Sequence, residues 1–376
     1  MKRDEEIKKI KNMTAKTLVL ELPTSFGKTK AALEYVGNKA NILVVVPRNV
    51  LKTTWKNEIE KWGYDISNYE FTTYRSLHKC TKHYSFVIFD EAHHLSENCL
   101  NIVKSMDFDK SVLLSATIGK KIFDIKEVFQ GVTTYKVSVR QAIDSNILPD
   151  PEVYLISLVL DTYENSEIIV LNNSKGYEKH IFYKDVPLYS KDKQHKIIVH
   201  CTQWQKNQWF EKQIAYYKAR RNIVFMRNKW LRLCKDRINW LAEIKTGVVK
   251  NILSKYSDYR TITFCASIKQ TEETGKYPIH SNQKDDSNLI AFNNHDIDHI
   301  TCCDMLNEGV NLVDCQVGIF AILNSSIVMQ KQKLGRLLRH EEPIIIIPFY
   351  LNTREEEIKD EMLKMYNPEL VKTISL

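Results

Sequence analysis

The sequence predicts an α/β protein: two parallel-sheet domains in tandem, with a mixed β/helical basic insertion between them. Three observations carry this expectation. In the first half, short apolar segments alternate with helix-like ones, and polar residues recur at the C-terminal ends of the apolar segments. In a doubly wound sheet, the binding crevice lies outside those strand ends. The alternation of strand and helix resumes near residue 260, after a stretch in which cations far outnumber acids.

Leu18, Val19 and Leu20 form the first β-prone run, and Ala31, Ala32 and Leu33 favour a helix, so LPTSFGKT at 22–29 falls on a strand-to-helix turn. A loop that opens a helix aims unpaired N–H groups and the positive end of the helix dipole at one point, where phosphate binds. Lys28 is then suited to neutralise β- and γ-phosphates, and the Thr29 hydroxyl to ligate Mg²⁺. The full pattern has a glycine five residues before Gly27, where this chain has Leu22, with Ser25 and Phe26 inside the loop. Taken alone, the Gly-Lys-Thr triplet also reads as an ordinary helix start.

NILVVV at 41–46 follows, ended by Pro47-Arg48, then an amphipathic helix over 50–62 with Leu51, Trp55, Ile59 and Trp62 on one face. Strand-like segments FTTYRSL (71–77), FVIFDEAHHL (86–95) and SVLLSATIG (111–119) come next. Asp90 and Glu91 directly follow a buried strand, which would place two carboxylates beside the phosphate loop. Asp90 suits a water-mediated contact to Mg²⁺, and Glu91 the orientation or deprotonation of a water attacking the γ-phosphate.

A chain of 376 residues has room for two or three domains, and 43% apolar with 27% charged residues describes a globular protein. No apolar run approaches membrane-spanning length, and MKRDEEIKKIKNM is charged throughout without a signal-peptide core, so the expected location is cytoplasmic with no membrane partner. The eight cysteines include no C-x-x-C pair and no zinc-finger spacing to histidine, which leaves reduced thiols as the reading. Between Lys206 and Arg237 there are ten basic residues against two acids, an excess equal to the +8 of the whole chain. Two accounts fit this segment. In one, Arg220, Arg221, Arg227 and Lys229 neutralise nucleic-acid phosphates and a tryptophan such as Trp230 stacks on a base. In the other, Trp204, Trp209, Trp230 and Trp240 are core residues of a helical layer whose wet face carries the cations.

Read in order, LPTSFGKT, Asp90-Glu91-Ala92-His93 and Ser115-Ala116-Thr117 resemble motifs I, II and III of the superfamily 2 helicases of DEAH type. The second half supplies the others. RTITFCASIKQTEE at 260–273 resembles motif IV. CDMLNEGVN at 303–311 resembles motif V, with Asn311 where Asp is more usual. MQKQKLGRLLRH at 329–340 resembles motif VI, the Q-x-x-G-R-x-x-R pattern of Gln332, Gly335, Arg336 and Arg339. The resemblance covers residues 16–145 and 245–350, and DEAHH and GRLLR look most like the branch containing restriction-enzyme motor subunits, XPB-like proteins and small branch-migrating helicases of bacteriophages.

The resemblance implies two RecA-like domains, 1–147 and 254–376, flanking a linker, β insertion and basic helical segment at 148–253. It implies ATP and Mg²⁺ between them, held by Pro23, Thr24, Ser25, Phe26, Gly27, Lys28, Thr29, Gly309 and Asn311, with Thr29 and Asp90 on the metal. Glu91, Gln332, Arg336 and Arg339 would be catalytic, and Ser115 and Thr117 would couple hydrolysis to the strand-binding face. That face would comprise Pro47, Arg48, Thr73, Tyr74, Arg75 and Ser267, contacting phosphate and sugar. The implied activity is a nucleic-acid-stimulated ATPase that drives a monomeric translocase along single-stranded, forked or branched DNA, in replication or recombination. RNA as substrate, a non-hydrolysing ATP-binding clamp, and the motor subunit of a nuclease complex are the alternatives. No adenine-reading Q motif precedes residue 16, so base selectivity stays open.

Overall fold

The first strands are continuous apolar runs, and that is what a parallel sheet buried on both faces requires. In the computed structural model, which describes residues 2–119, 121–185, 194–283, 285–303, 312–324 and 333–375, β1 (Thr17–Glu21), β2 (Ile42–Val46), β3 (Tyr69–Thr73), β4 (Tyr84–Phe89), β5 (Phe108–Ser115) and β6 (Val132–Lys136) form one sheet in the order β3-β2-β4-β5-β1-β6. Every pairing is parallel. Side chains alternate between two cores. Leu18, Leu20, Val44, Ile88 and Leu114 pack toward α1 (Lys2–Lys11), α2 (Lys28–Val36) and α3 (Val50–Lys61), while Val19, Val45, Phe89 and Leu113 face α4 (Glu97–Val103) and α5 (Lys121–Val128). The charged segment at residues 2–11 is the docked helix α1, held by buried Ile7 and Ile10.

After α6 (Val139–Asp144) the chain enters a second parallel sheet as β7 (Glu152–Leu158), then leaves it for the insertion. The insertion holds a small sheet of β8 (Glu167–Asn172), β9 (Glu178–Phe182) and β10 (Lys196–Cys201) in the order β8-β10-β9, followed by the helical hairpin α7 (Gln203–Ala219) and α8 (Val224–Glu243). The chain returns through α9 (Thr246–Lys255) to β11 (Thr261–Phe264), α10 (Ile268–Thr274), β12 (Pro278–Ile279), α11 (Ser287–Asn293), β13 (His299–Cys302), β14 (Val317–Phe320), β15 (Ile344–Tyr350), α12 (Arg354–Leu363) and β16 (Val371–Ser375). Among the described residues this sheet runs β12-β13-β11-β14-β15-β7-β16.

The expected division at 254 therefore needs correcting. β7 pairs in parallel with β15 on one side and β16 on the other, and α9 covers Ile156, Val317, Ile319 and Ile346 with Val249, Ile252 and Leu253. EVYLISL is an apolar strand whose backbone groups need two neighbours, so it cannot serve as a linker. Pro149 and Pro151 mark the connection that precedes it.

The hairpin is fixed to the second sheet by a buried ion pair. Lys245 Nζ lies 2.6 Å from Glu355 Oε1 and donates to the Pro348 carbonyl at 3.1 Å, while Glu355 Oε2 accepts from the Tyr350 N–H at 3.0 Å. Burial pushes the Lys245 ammonium below its ordinary pKa, against the opposing pull of Glu355. Lys245→Met would leave the Glu355 carboxylate buried without its cation, a loss of roughly 3–5 kcal/mol. We expect a correspondingly lower urea midpoint; an unchanged midpoint would mean water reaches Glu355.

Candidate nucleotide and nucleic-acid sites

Parallel register decides which residues meet. Glu21 pairs with Ser115, Val45 with Phe89, Val46 with Thr73 and Phe89 with Leu113. The segments that follow these strands, 22–29, 47–48, 74–75, 90–91 and 116–117, therefore all emerge at one edge of the first sheet.

Leu22 extends β1 by one residue, donating its N–H to the Ser115 carbonyl at 3.0 Å with its side chain fully buried. The loop then turns through Ser25 (φ 69°) and Gly27 (φ 100°) before α2 begins at Lys28. Left-handed backbone at Ser25 supplies a turn that glycine more often makes. Phe26 is fully buried in the core and Pro23 is also buried, so of the expected nucleotide contacts these two present no side chain to the cleft. Thr24, Ser25, Gly27, Lys28 and Thr29 do line it. The Thr24 hydroxyl is buried with no hydrogen-bond partner among the described residues.

Lys28 Nζ sits 3.1 Å from Glu91 Oε1, and His93 Nδ1 lies 3.2 Å from Glu91 Oε2 and 3.3 Å from Ser115 Oγ. Burial alone would raise the Glu91 carboxyl, but Lys28 and His93 together outweigh it and hold it below the usual range. Asp90 moves the other way, pushed up to about 6 by burial and by the neighbouring Glu91. Its carboxylate accepts from Trp55 Nε1 at 2.8 Å and from the Glu91 N–H at 3.0 Å, and Tyr74 donates to its carbonyl at 2.7 Å. Trp55 and His93 are the residues that sequence reasoning underrated: one is a helix-face aromatic, the other half of an adjacent histidine pair. Thr29 and Glu91 both line the cleft and bring oxygen donors of the kind a hard divalent cation takes, and the Asp90 carboxylate, held by Trp55, stands directly behind Glu91 in the chain, so the residues present fit Mg²⁺.

The second unit supplies the opposite wall. Gly335, in a helix over 333–337, approaches so closely that a Cβ built there would lie 2.1 Å from Thr24 Cβ. Ser25 Oγ donates to the Gly335 carbonyl and accepts from Arg339 Nε at 3.1 Å. Arg336 is buried and, with Arg339, lines the same cleft of about 1030 Å³ as Lys28 and Glu91. The cleft's outer wall includes Arg3, Asp4 and Trp62. Gly309, Asn311 and Gln332 lie outside the described residues.

Pro47, Arg48, Thr73, Tyr74 and Arg75 line a separate groove of about 820 Å³ with His94 and Asn98. Tyr74 joins this groove to Asp90, and Ser115 joins Glu91's histidine to residue 117, because Ser115 Oγ accepts from the Thr117 N–H at 3.1 Å. Ser267 is placed differently: it caps α10 by accepting from the Gln270 N–H at 3.2 Å and donates to Glu243 at 3.2 Å. Arg220, Arg221 and Arg227 are exposed on the hairpin and Lys229 is half-buried, while Trp204, Trp209 and Trp240 pack at its base with Phe210 and Leu233. The core account thus holds for these three tryptophans; Trp230 is half-buried.

Among the described residues no disulfide forms, no three metal-ligating side chains gather, and no helix is long and apolar enough to cross a membrane. No family model matches the chain, and no curated protein matches it. Solved structures do. A putative HsdR subunit fragment of a type I restriction enzyme from Vibrio vulnificus YJ016 aligns over 100% of this chain and 67% of its own, with TM-score 0.56 and 17% identity. The Hef helicase domain of Pyrococcus furiosus aligns over 96% and 97%, with TM-score 0.50 and 12% identity. S. cerevisiae Dbp5 bound to RNA and ADP BeF3 aligns over 100% and 89%, with TM-score 0.58 and 11% identity. The chain therefore shares the fold of these solved structures, two parallel-sheet α/β units in tandem.

Proposed function

We propose that the protein is an ATP-driven DNA translocase or helicase acting on forked or branched DNA. The observation that carries this reading is the cleft itself: Lys28 and Glu91 stand on one wall, Arg336 and Arg339 on the other, and Ser25 bridges the two. Such a site can sense a triphosphate only when both units contribute. Lys28 pairs with Glu91 at 3.1 Å. A γ-phosphate competing for Lys28 frees the Glu91 carboxylate, held in position by His93, to orient a water and accept its proton. Thr29 and, through water, Asp90 would hold Mg²⁺, which supplies charge neutralisation for the phosphates. Arg336 and Arg339 stabilise charge that develops as the terminal phosphate leaves.

Loss of the γ-phosphate removes the anion that Arg336 and Arg339 face and leaves the Ser25 contacts with Gly335 and Arg339 as the remaining bridge, which gives way as the units part. The groove of Pro47, Arg48 and Thr73 to Arg75 then serves as the grip of the first unit on a strand, with cations positioned for phosphate and not for base edges. The Tyr74 contact to Asp90 gives that groove a direct link to the hydrolysis site.

Steady-state ATP turnover, measured alone and with single-stranded DNA, duplex, fork, four-way junction and RNA, tests the reading. Strongest stimulation by fork or junction supports it. Stimulation by RNA above every DNA would replace the substrate assignment, and no turnover with any polymer would leave the non-hydrolysing clamp.

A further inference from the structure

The outer part of the α7–α8 hairpin combines features that the motor itself does not use. From residue 219 to 232 no residue of the hairpin is buried and none packs against the apolar cluster at its base, so this part stands clear of that core. At its tip, Ile223, Val224 and Phe225 are 58%, 62% and 70% exposed, an apolar triplet in succession. Cations surround it. The Arg220 guanidinium stacks over the Tyr216 ring at 3.8 Å, Arg221 and Arg227 are exposed, and no acid occurs between Glu211 and Asp236.

We propose that this tip is a wedge that seats against the branch point of a nucleic-acid fork, Phe225 covering the terminal base pair while the arginines hold the flanking phosphates. Charge selects the partner: an unbroken cationic collar is repelled by most basic surfaces and is matched by phosphate on two diverging strands. The apolar triplet selects the place. Along a continuous duplex, phosphates line the surface and base faces are stacked away; at a junction the last pair presents a flat apolar face to an aromatic ring.

The base of the hairpin explains how such a wedge would be driven. Gln270 Nε2 donates to the Ala242 carbonyl at 2.5 Å, Ser267 donates to Glu243, and Lys245 is locked to Glu355 and Pro348. The end of α8 is thus tied to both α10 and the second sheet, and the tip moves with the second unit as the cleft opens and closes. This part rests on the motor reading above; the binding of the tip to a fork does not.

The test uses the full chain and a DNA fork carrying 2-aminopurine at the first paired position, without ATP. The wild-type protein is expected to change the fluorophore's signal. Phe225→Ser should abolish that change and weaken fork binding roughly tenfold, the size of one base-stacking contact, while affinity for a single strand of the same sequence holds. Phe225→Trp should restore the signal. Equal signals from wild type and Phe225→Ser, or equal losses on fork and single strand, would overturn the wedge and point to a protein partner or a general phosphate clamp. Turnover of ATP is read in parallel: a fork signal without stimulated turnover would keep the wedge and reject the motor.

Discussion

Gly335→Ala should leave a folded protein that no longer hydrolyses ATP. The added Cβ would stand 2.1 Å from Thr24 Cβ, 2.7 Å from Thr24 Cγ2 and 3.0 Å from Thr24 Cα. The first and last of these atoms are fixed by the backbone, so no rotamer change relieves the clash. The 333–337 helix must withdraw, which breaks the contacts of Ser25 with Gly335 and Arg339 and carries Arg336 out of the cleft. Losing an arginine that stabilises the transferring phosphoryl group costs about a thousandfold or more in turnover. Folding should not suffer, since alanine in a helix is favoured over glycine by roughly 0.5–1 kcal/mol. A melting temperature at or above wild type with turnover lost is the expected pair of results. Wild-type turnover would mean that the units do not meet through these residues. Ser25→Ala is the milder companion: it removes the bridge without a clash, and its loss should match a hydrogen bond to a charged group, about 1.5–3 kcal/mol.

Most of the residues that line the cleft were legible because parallel strands buried on both faces leave unbroken apolar runs, and the polar residues after each run emerge together at one end of the sheet. NILVVV and FVIF could hardly be anything but central strands. Other parts were less legible. β7 looked like linker because prolines precede it and its partners, β15 and β16, lie about 200 residues further along in sequence, a separation that no local pattern reports. β16 is a polar edge strand, VKTIS, without a strand's apolar signature. In the phosphate loop, Leu22 broke the glycine pattern, and the backbone takes its left-handed turns three and five residues later, at Ser25 and Gly27. The tryptophans of the basic segment drew attention that burial assigns to the hairpin's base, and the exposed aromatic at its tip, Phe225, had no sequence mark to separate it from a core residue. Exposure is a property of the whole fold, and a helix-period pattern fixes it only where the helix has a partner.

Glu91→Gln should stop hydrolysis while leaving ATP binding intact. Glutamine has the shape of glutamate and keeps an oxygen able to accept from Lys28, so the loop and the 3.1 Å contact can persist. The φ of 48° at this residue is equally strained for either side chain. What changes is charge and proton affinity: an amide cannot accept the proton of an attacking water, and removing a general base costs about a hundredfold to ten-thousandfold. Two further consequences follow from the neighbours. Lys28 keeps only a neutral amide oxygen as partner and yields to phosphate more readily, so affinity for ATP should hold or rise. Asp90, pushed up partly by the charge on Glu91, should become a better anion and hold the divalent cation at least as well. Lys28→Ala separates the two roles, since it removes the phosphate's cation and should lose binding as well as turnover. If Glu91→Gln turns over ATP as the wild type does, the water is activated elsewhere, and the Lys28–Glu91 pair is a structural clasp between the loop and β4.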